Sequence, residues 1–395
     1  MGAKKTRDDE ILRYLQNHTY DQTMERFQIA RMTVARIKKR NRVRVLPQKI
    51  KIAIVGIGNA ASALIQGTVY YKSRSKNIGL LHPNLAGFHI SDIEVVAAFD
   101  IASKKVGKKL NEAILENDLA SVVELPVSEI TVLMGEIKDG VIDQTRALIQ
   151  PSNQAPCNVA QELKESAAEI VLCLLPSGAD EAVIFYAEQS IVAGCAFINA
   201  TPTKIATDKN LGKKFFDAGL PVIGDDLQDQ FGATIVHKLL LQQMINQGAE
   251  IKESYALDVG GGAESLNTIH RSRMIKREIK SNTVTSSLEI TAPIVAGTSD
   301  YVPHMGNSRN SMLWIVGEGF LGSEIVMDIK IQTTDGPNGG AILADVVRAT
   351  KIALHQGGAG PISEISWYGF KNPPKGVKSP EDASDHLAKY IFGRK

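Results

Sequence analysis

Hydrophobic positions change period twice along the chain, and each change marks a different kind of structure. Between residues 11 and 40 the period is helical. Ile11, Leu12 and Leu15 share one face up to His18, Met24 and Phe27 supply a second, and Met32, Val34 and Ile37 line a third. Thr19 precedes Gln22 by the spacing of a capping box, which opens the second helix, and Gln28-Ile29-Ala30 makes a short connection. From residue 51 short β-branched runs take over: Lys51–Val55, Glu94–Phe99, Ile170–Leu175, Ala196–Ile198 and Pro221–Ile223. Runs apolar on both faces, alternating with helical stretches, predict an α/β fold with a doubly wound parallel sheet. Beyond Asp226 the period becomes two, in Ser254–Val259, Ser286–Ala292, Met312–Val316 and Ile325–Gln332, which predicts a second sheet with helices.

Composition adds three constraints. A length of 395 residues, 44% hydrophobic and 22% charged, suits a globular protein of two or three domains. No apolar run approaches the roughly 20 residues that span a bilayer, and the polar start MGAKKTRDDE lacks a signal core. Cys157, Cys173 and Cys195 have no metal-ligand spacing, and no His/Cys/Asp cluster does either, so a reduced cytoplasmic setting without membrane contact is expected and a metal requirement stays unknown. The net charge of +2 is unevenly spread: residues 1–51 hold 14 Lys and Arg against 5 Asp and Glu, and the remainder is acidic. The basic segment resembles the helix-turn-helix of resolvases and small repressors, with Arg31, Thr33 and Arg36 on the recognition helix. Residues 1–45 are therefore a small all-α module whose basic side chains suit DNA phosphates. The alternative is a helical ornament packed on the body or on a partner subunit. Arg42 to Gln48 is a linker.

The first strand runs into Gly56-Ile57-Gly58-Asn59-Ala60-Ala61 and then into a helix-like stretch. Two glycines there permit a tight turn and close backbone approach to a pyrophosphate at a helix N-terminus, the Rossmann-type arrangement. Ala61 stands where a third glycine is usual. The second strand ends at Asp100, an acid placed to hydrogen-bond a ribose 2′-hydroxyl and so to favour NAD over NADP. The long interval from Gly56 to Asp100 implies an insertion, Tyr70 to Ser91. Later strands end at Ser177, at Asn199 to Thr201, and at Asp225 and Asp226, in loops that surround a cofactor on such a sheet.

GxGNxxSxLxQG (Gly56 to Gly67), AAFD with KKVGK (Ala97 to Lys108), FINATP (Phe197 to Pro202), GDDLQDQFGAT (Gly224 to Thr234), KREIKSNTV (Lys276 to Val284), TDGPNGG (Thr334 to Gly340) and the late Lys371 together resemble the myo-inositol-1-phosphate synthase family of prokaryotic type. The likeness spans residue 50 to the C-terminus. It implies an NAD-binding domain (46–226), an inserted α+β catalytic and oligomerisation domain (227–332), a return to the nucleotide domain (333–395), and a homotetramer. It also implies conversion of glucose 6-phosphate to an inositol phosphate through oxidation at C5, loss of a C6 proton, aldol closure of C6 on C1, and re-reduction. Lys276, Lys280 and Lys371 carry over as catalytic or phosphate-contacting lysines, Asp335 and Asp226 as family carboxylates, Gly232, Ala233 and Thr234 as the phosphate site, and Asn267 as a neighbour of the sugar. Fixed cations suit this chemistry, because every stage develops negative charge on oxygen.

Two departures stand out. Arg309 occupies the place of a fourth family lysine; it keeps the charge but cannot deliver a proton near neutral pH. Gly260-Gly261-Gly262-Ala263-Glu264 replaces a run that usually holds asparagine and aspartate. Two other functions compatible with these departures are an NAD-dependent cyclase or dehydrogenase on another sugar phosphate, and a DNA-binding regulator that senses sugar phosphate or NAD.

Overall fold

The computed structural model describes residue 11, residues 20–29, and residues 49–393 apart from 73, 75, 287, 289, 375, 377 and 378. Two units separate by their contacts: residues 1–48 with 86–88, and the rest of the chain. In the first, helix α1 (Tyr20–Phe27) coincides with the second helical pattern. It ends where Gln28 turns left-handed (φ 50°) and the Ile29 N–H reaches the Met24 carbonyl at 3.2 Å. Ile11 is helical and buried. The remaining positions of the first and third patterns, the Thr19 cap, and Arg31, Thr33 and Arg36 lie outside the described residues.

The second unit is built on a seven-stranded sheet: β1 (Ile50–Val55), β2 (Ile93–Asp100), β3 (Val132–Met134), β4 (Ile170–Cys173), β5 (Ala196–Asn199), β6 (Pro221–Ile223) and β11 (Gly360–Pro361). Its order is β11-β6-β5-β4-β1-β2-β3, and every pairing is parallel. Period two splits the strand residues between two helical layers. Ala53, Val55, Phe99, Val171, Cys173, Phe197 and Val222 pack on α4 (Val159–Glu165), α5 (Asp180–Ala193) and α6 (Lys209–Asp217). The opposite face meets α2 (Asn59–Tyr70) and the 21-residue α10 (Asp335–His355), which touches β1, β4, β5 and β6. β1 lies between β2 and β4, so the chain reverses its winding there and opens a crevice at the strands' carboxyl ends. The described residues between 71 and 89 of the expected insertion form neither strand nor helix, and a short turn of 3-10 helix (Ile90–Asp92) leads into β2, which the short α3 (Leu110–Ala113) follows.

A second sheet, in the order β10-β9-β7-β8, follows α7 (Ala233–Asn246). It comprises β7 (Glu250–Gly260), β8 (Ile294–Tyr301), β9 (Ser308–Glu318) and β10 (Glu324–Thr334), and its inner face closes over α7 and α9 (Arg273–Thr285) through Leu241, Ile251, Ala256, Val284, Leu313 and Ile315. The short α8 (Ala263–Asn267) and one π turn lead into α9. One expected strand is displaced. None of the described residues of Ser286–Ala292 is in a strand: α9 runs on to Thr285 and the pairing begins at Ile294. Pro293 has no N–H to give a ladder, but its carbonyl accepts the Ser254 N–H at 3.1 Å and so starts the register. After β10 the chain returns through α10 to the first sheet, where β11 pairs with β6, then passes into α11 (Ser363–Gly369) and α12 (Pro380–Phe392).

Candidate active site

The turn after β1 is shaped for an anion. Gly56 has φ +89°, and a Cβ there would sit 2.8 Å from the Leu174 carbonyl oxygen. No other residue fits that turn. A Cβ on Gly58 would meet nothing within 4 Å, so the turn faces open space. α2 starts at Asn59 without a side-chain cap, and Ala60 lies in its first turn, leaving unpaired N–H groups directed at the crevice. This glycine cradle fits a dinucleotide. The Asp100 carboxylate accepts N–H groups from Ile57 (2.8 Å), Ile101 (2.7 Å) and Ala102 (2.9 Å), and buried Lys105 lies 3.8 Å away. Asp100 thus ties the glycine turn to the end of β2 and keeps limited capacity for a ribose hydroxyl.

Asn199, Thr201 and Asp225 come together but bond mainly to one another. Asn199 Nδ2 donates to Asp225 Oδ1 at 2.7 Å, and its Oδ1 accepts the Thr201 hydroxyl at 2.8 Å. Asp225 also takes N–H groups from Ile205, Ala206 and Thr207. Burial pushes its carboxyl up to about 6 in spite of those donors. These side chains shape the loops after β5 and β6, leaving backbone groups to meet a ligand. Asp226 differs. It is left-handed (φ 62°), and its Oδ2 is buried with no partner among the described residues, as is Asn267 Oδ1. Orphaned buried acceptors of this kind mark a place where a ligand hydroxyl fits.

Beyond the crevice four cations converge, each beside a carboxylate. Lys276 and Lys280 lie one turn apart on α9. Lys276 Nζ meets Glu264 Oε1 at 2.5 Å, and Lys280 bonds Asp258, whose other oxygen takes the Ser311 hydroxyl at 2.5 Å. Arg309 on β9 grips Asp335 with two bonds of 2.7 Å, and Lys371 Nζ donates to the Leu227 carbonyl at 2.6 Å while lying 3.8 Å from Asp226. Glu264 also accepts the Ser177 N–H at 2.8 Å and the Ser177 hydroxyl, so the loop after β4 is fastened to Lys276. Burial penalises both lysine charges. For Lys276 the carboxylates of Glu264 and Asp226 outweigh it and raise the pKa; for Lys280, burial with Arg309, Lys371 and Lys276 nearby outweighs Asp258 and lowers it. Asp335 holds the Arg309 guanidinium firmly charged. Gly232 caps α7 without a side-chain bond, followed by Ala233 and the buried Thr234. A Cβ on Gly232 would lie 2.9 Å from the Asp229 carboxylate, so an acid borders this expected phosphate site.

The two regions meet at the start of α10. Asp335 and Gly336 bond Asn307, and a Cβ on Gly336 would be 2.8 Å from the Asn59 carbonyl oxygen. Gly336 and Gly340 let α10 lie tightly against α2, which brings Asp335 and its partner Arg309 to the dinucleotide turn.

The chain matches the model of the family described as myo-inositol-1-phosphate synthase over residues 232–336. It is 37% identical over 358 residues to the inositol-3-phosphate synthase of Mycolicibacterium smegmatis, covering 87% of this chain and 98% of that protein. The chain belongs to the myo-inositol-1-phosphate synthase family. Another relative, the inositol-3-phosphate synthase of Corynebacterium glutamicum, is also 37% identical, over 87% of this chain and 98% of its own length. A solved myo-inositol-1-phosphate synthase-related protein from Thermotoga maritima, 20% identical, shares the fold with a TM-score of 0.72 over 88% of this chain and 99% of its own. Three polar side chains of this family site escape the sequence motifs: Asp258, Ser311 and Glu264 as ion-pair partner. One signal was available, since Asp258 sits on the inward register of an alternating strand, where an acid requires a cation.

Proposed function

We propose that this chain is an NAD-dependent enzyme that converts glucose 6-phosphate to 1D-myo-inositol 3-phosphate. When bound, NAD supplies the hydride acceptor for the C5 oxidation and the donor for the final reduction. The observation that carries the assignment is the ring of Lys276, Lys280, Arg309 and Lys371 at the mouth of a glycine-lined dinucleotide crevice. Such a ring stabilises the successive alkoxide, enolate and aldol oxyanion, most strongly where water is excluded. Lys276, held as an ammonium by Glu264, supplies fixed charge. Lys280, whose proton is held less tightly than that of Lys276, is the better proton carrier for C6. Arg309 takes the electrostatic part of the family's fourth lysine. The substrate phosphate meets the N–H groups at Gly232, Ala233 and Thr234, and Asp226 and Asn267 accept sugar hydroxyls.

Residues 46–226 and 333–395 form the nucleotide domain in this proposal, and 227–332 the catalytic and oligomerisation domain. The protein works as a cytoplasmic homotetramer, with the outer face of the second sheet covered by another copy. That face carries Tyr255 stacked on Trp314 (6.4 Å between ring centres) and the exposed Met312 and Val326. No helix among the described residues is long and apolar enough to cross a membrane. Residues 1–45 bind DNA through their basic side chains. The bidentate Arg309–Asp335 pair favours a second possibility, a cyclase acting on a different sugar phosphate, because a planar fork reads hydroxyl and phosphate positions differently from an ammonium. Incubation with glucose 6-phosphate and NAD, followed by product analysis, tests the proposal. An inositol phosphate supports it; intact substrate, with turnover of another sugar phosphate, overturns it.

A further inference from the structure

One edge of the second sheet is bare. Its order is β10-β9-β7-β8, so the 11-residue β10 carries a ladder on one side, and among the described residues no strand pairs with the other. The strand holds no proline, and its register with β9 runs unbroken from Glu324 to Thr334. A long regular edge of free N–H and C=O groups is a template for another strand. The charges on β10 say which strand fits. Ile329 is the middle residue of Glu324–Thr334, and Asp328 and Lys330 flank it. Both are exposed on the outer face, where Trp314 and Met312 are their neighbours across the ladder, and among the described residues neither has a polar partner. A second copy of β10, antiparallel about a twofold axis through Ile329, lays residue 328 of each copy opposite residue 330 of the other. The register of fullest overlap is therefore also the one that makes two Asp–Lys pairs. On the inner face it sets Met327 against Ile331 of the other copy, extending side chains that already pack on the core. The hairpin tip before β10 is apolar and bare: Phe320 is 86% and Leu321 89% exposed, and Leu321 is left-handed at φ 59°. With Glu324 opposite Thr334 of the other copy, this tip passes the end of that strand and reaches the start of α10. A cavity of about 520 Å³ opens there, lined by Leu80, Phe231, Thr334 and Pro337 and by no charged residue. Phe231 adjoins the Gly232 turn.

We propose that two copies of the chain join through their β10 edges, antiparallel about Ile329, into one continuous sheet, and that the Phe320–Leu321 tip of each closes the cavity beside the Gly232 turn of the other. Each phosphate site is then sheltered by a neighbouring copy. The inference deepens the proposed homotetramer and rests on it, because a closed tetramer of twofold contacts needs two different ones, here an edge and a face. Sedimentation of the full chain tests it. Asp328→Lys sets lysine opposite lysine, and Lys330→Asp sets aspartate opposite aspartate. Each should dissociate the tetramer to species of half its mass, about tenfold more readily or worse. Reversing both charges in one chain should restore the tetramer. Equimolar mixing of the two single variants should restore it too, since 328 of one then meets 330 of the other with opposite sign. Phe320→Ser with Leu321→Ser should weaken association while far-ultraviolet dichroism stays unchanged. Single reversals that sediment as the unmodified chain does, a double reversal no better than the singles, or a tip variant that associates as tightly as before would each overturn the edge contact and leave the tetramer standing. A monomeric unmodified chain would overturn both. None of these measurements needs turnover, so the outcome is independent of the catalytic assignment.

Discussion

Two lysines four residues apart on one helix receive opposite electrostatic treatment, and the cause lies in their partners. Lys276 shares its space with Glu264 and Asp226, Lys280 with one carboxylate and three other cations. A base must be neutral to accept a proton, so turnover should rise with pH through a limb below the usual lysine range. Lys280→Arg should abolish that limb and lower kcat by about a hundredfold or more, as read from a kcat–pH profile. Lys276→Ala and Lys371→Ala should depress turnover at every pH, because they remove fixed charge. At position 309 an amine should be tolerated: Arg309→Lys is expected to keep turnover within about tenfold, and Arg309→Met to lose about a hundredfold, measured as inositol phosphate formed. Single-residue roles were only partly legible in the sequence. Lys276, Arg309 and Asp335 stand in motifs, but no motif says that Glu264 clamps Ser177 or that Asp258 is paired.

At the scale of elements, α7 and α10 carry the clearest consequences. His237 of α7 is fully buried; its Nε2 lies 2.6 Å from the Ser254 hydroxyl, which itself donates to the Trp314 carbonyl, so the ring is neutral with its proton on Nε2. Burial pushes its pKa down to about 4. The unfolded imidazole titrates near 6.5, so the folded state loses stability as pH falls from about 6.5 to 4, by about 3 kcal/mol. His237→Gln should remove that part of the slope in denaturant unfolding at a series of pH values. In α10, a Cβ on Gly340 would stand 3.0 Å from the Ala63 Cβ, so Gly340→Leu should wedge α10 from α2 and cost about 1–3 kcal/mol. Calorimetric unfolding with and without NAD checks both the loss and the weakened cofactor retention. Elements of the first sheet were legible because buried parallel strands read as unbroken β-branched runs. The two-residue β11 was too short for any period to register, the three-residue β3 carries no turn signal of the kind that follows β6 at Gly224, and β8 was displaced because the alternation read at Ser286–Ala292 precedes the paired residues, which begin at Ile294.

For the whole molecule, the uncovered outer face of the second sheet and the basic N-terminal segment make separate demands. Trp314→Glu places a charge at the centre of that face, where the Tyr255–Trp314 stack lies. It should shift sedimentation from the proposed tetramer toward smaller species while far-ultraviolet dichroism is unchanged; unaltered sedimentation would overturn the assignment of this face to a contact between copies. Arg31→Glu with Arg36→Glu in the full chain should abolish salt-dependent retardation of duplex DNA and leave turnover untouched. The sequence by itself determined the nucleotide turn, the strand that feeds it, the order of the family segments and the identity of the cations, because each is set by neighbours a few residues apart. Tertiary structure alone decided which acceptor each cation meets. Glu264 is 12 residues from Lys276, Asp258 22 from Lys280, Asp335 26 from Arg309, and Leu227 144 from Lys371. Those pairings, and with them the opposite pKa shifts of Lys276 and Lys280, depend on how two sheets and the helices between them close over one cleft, which no local pattern encodes.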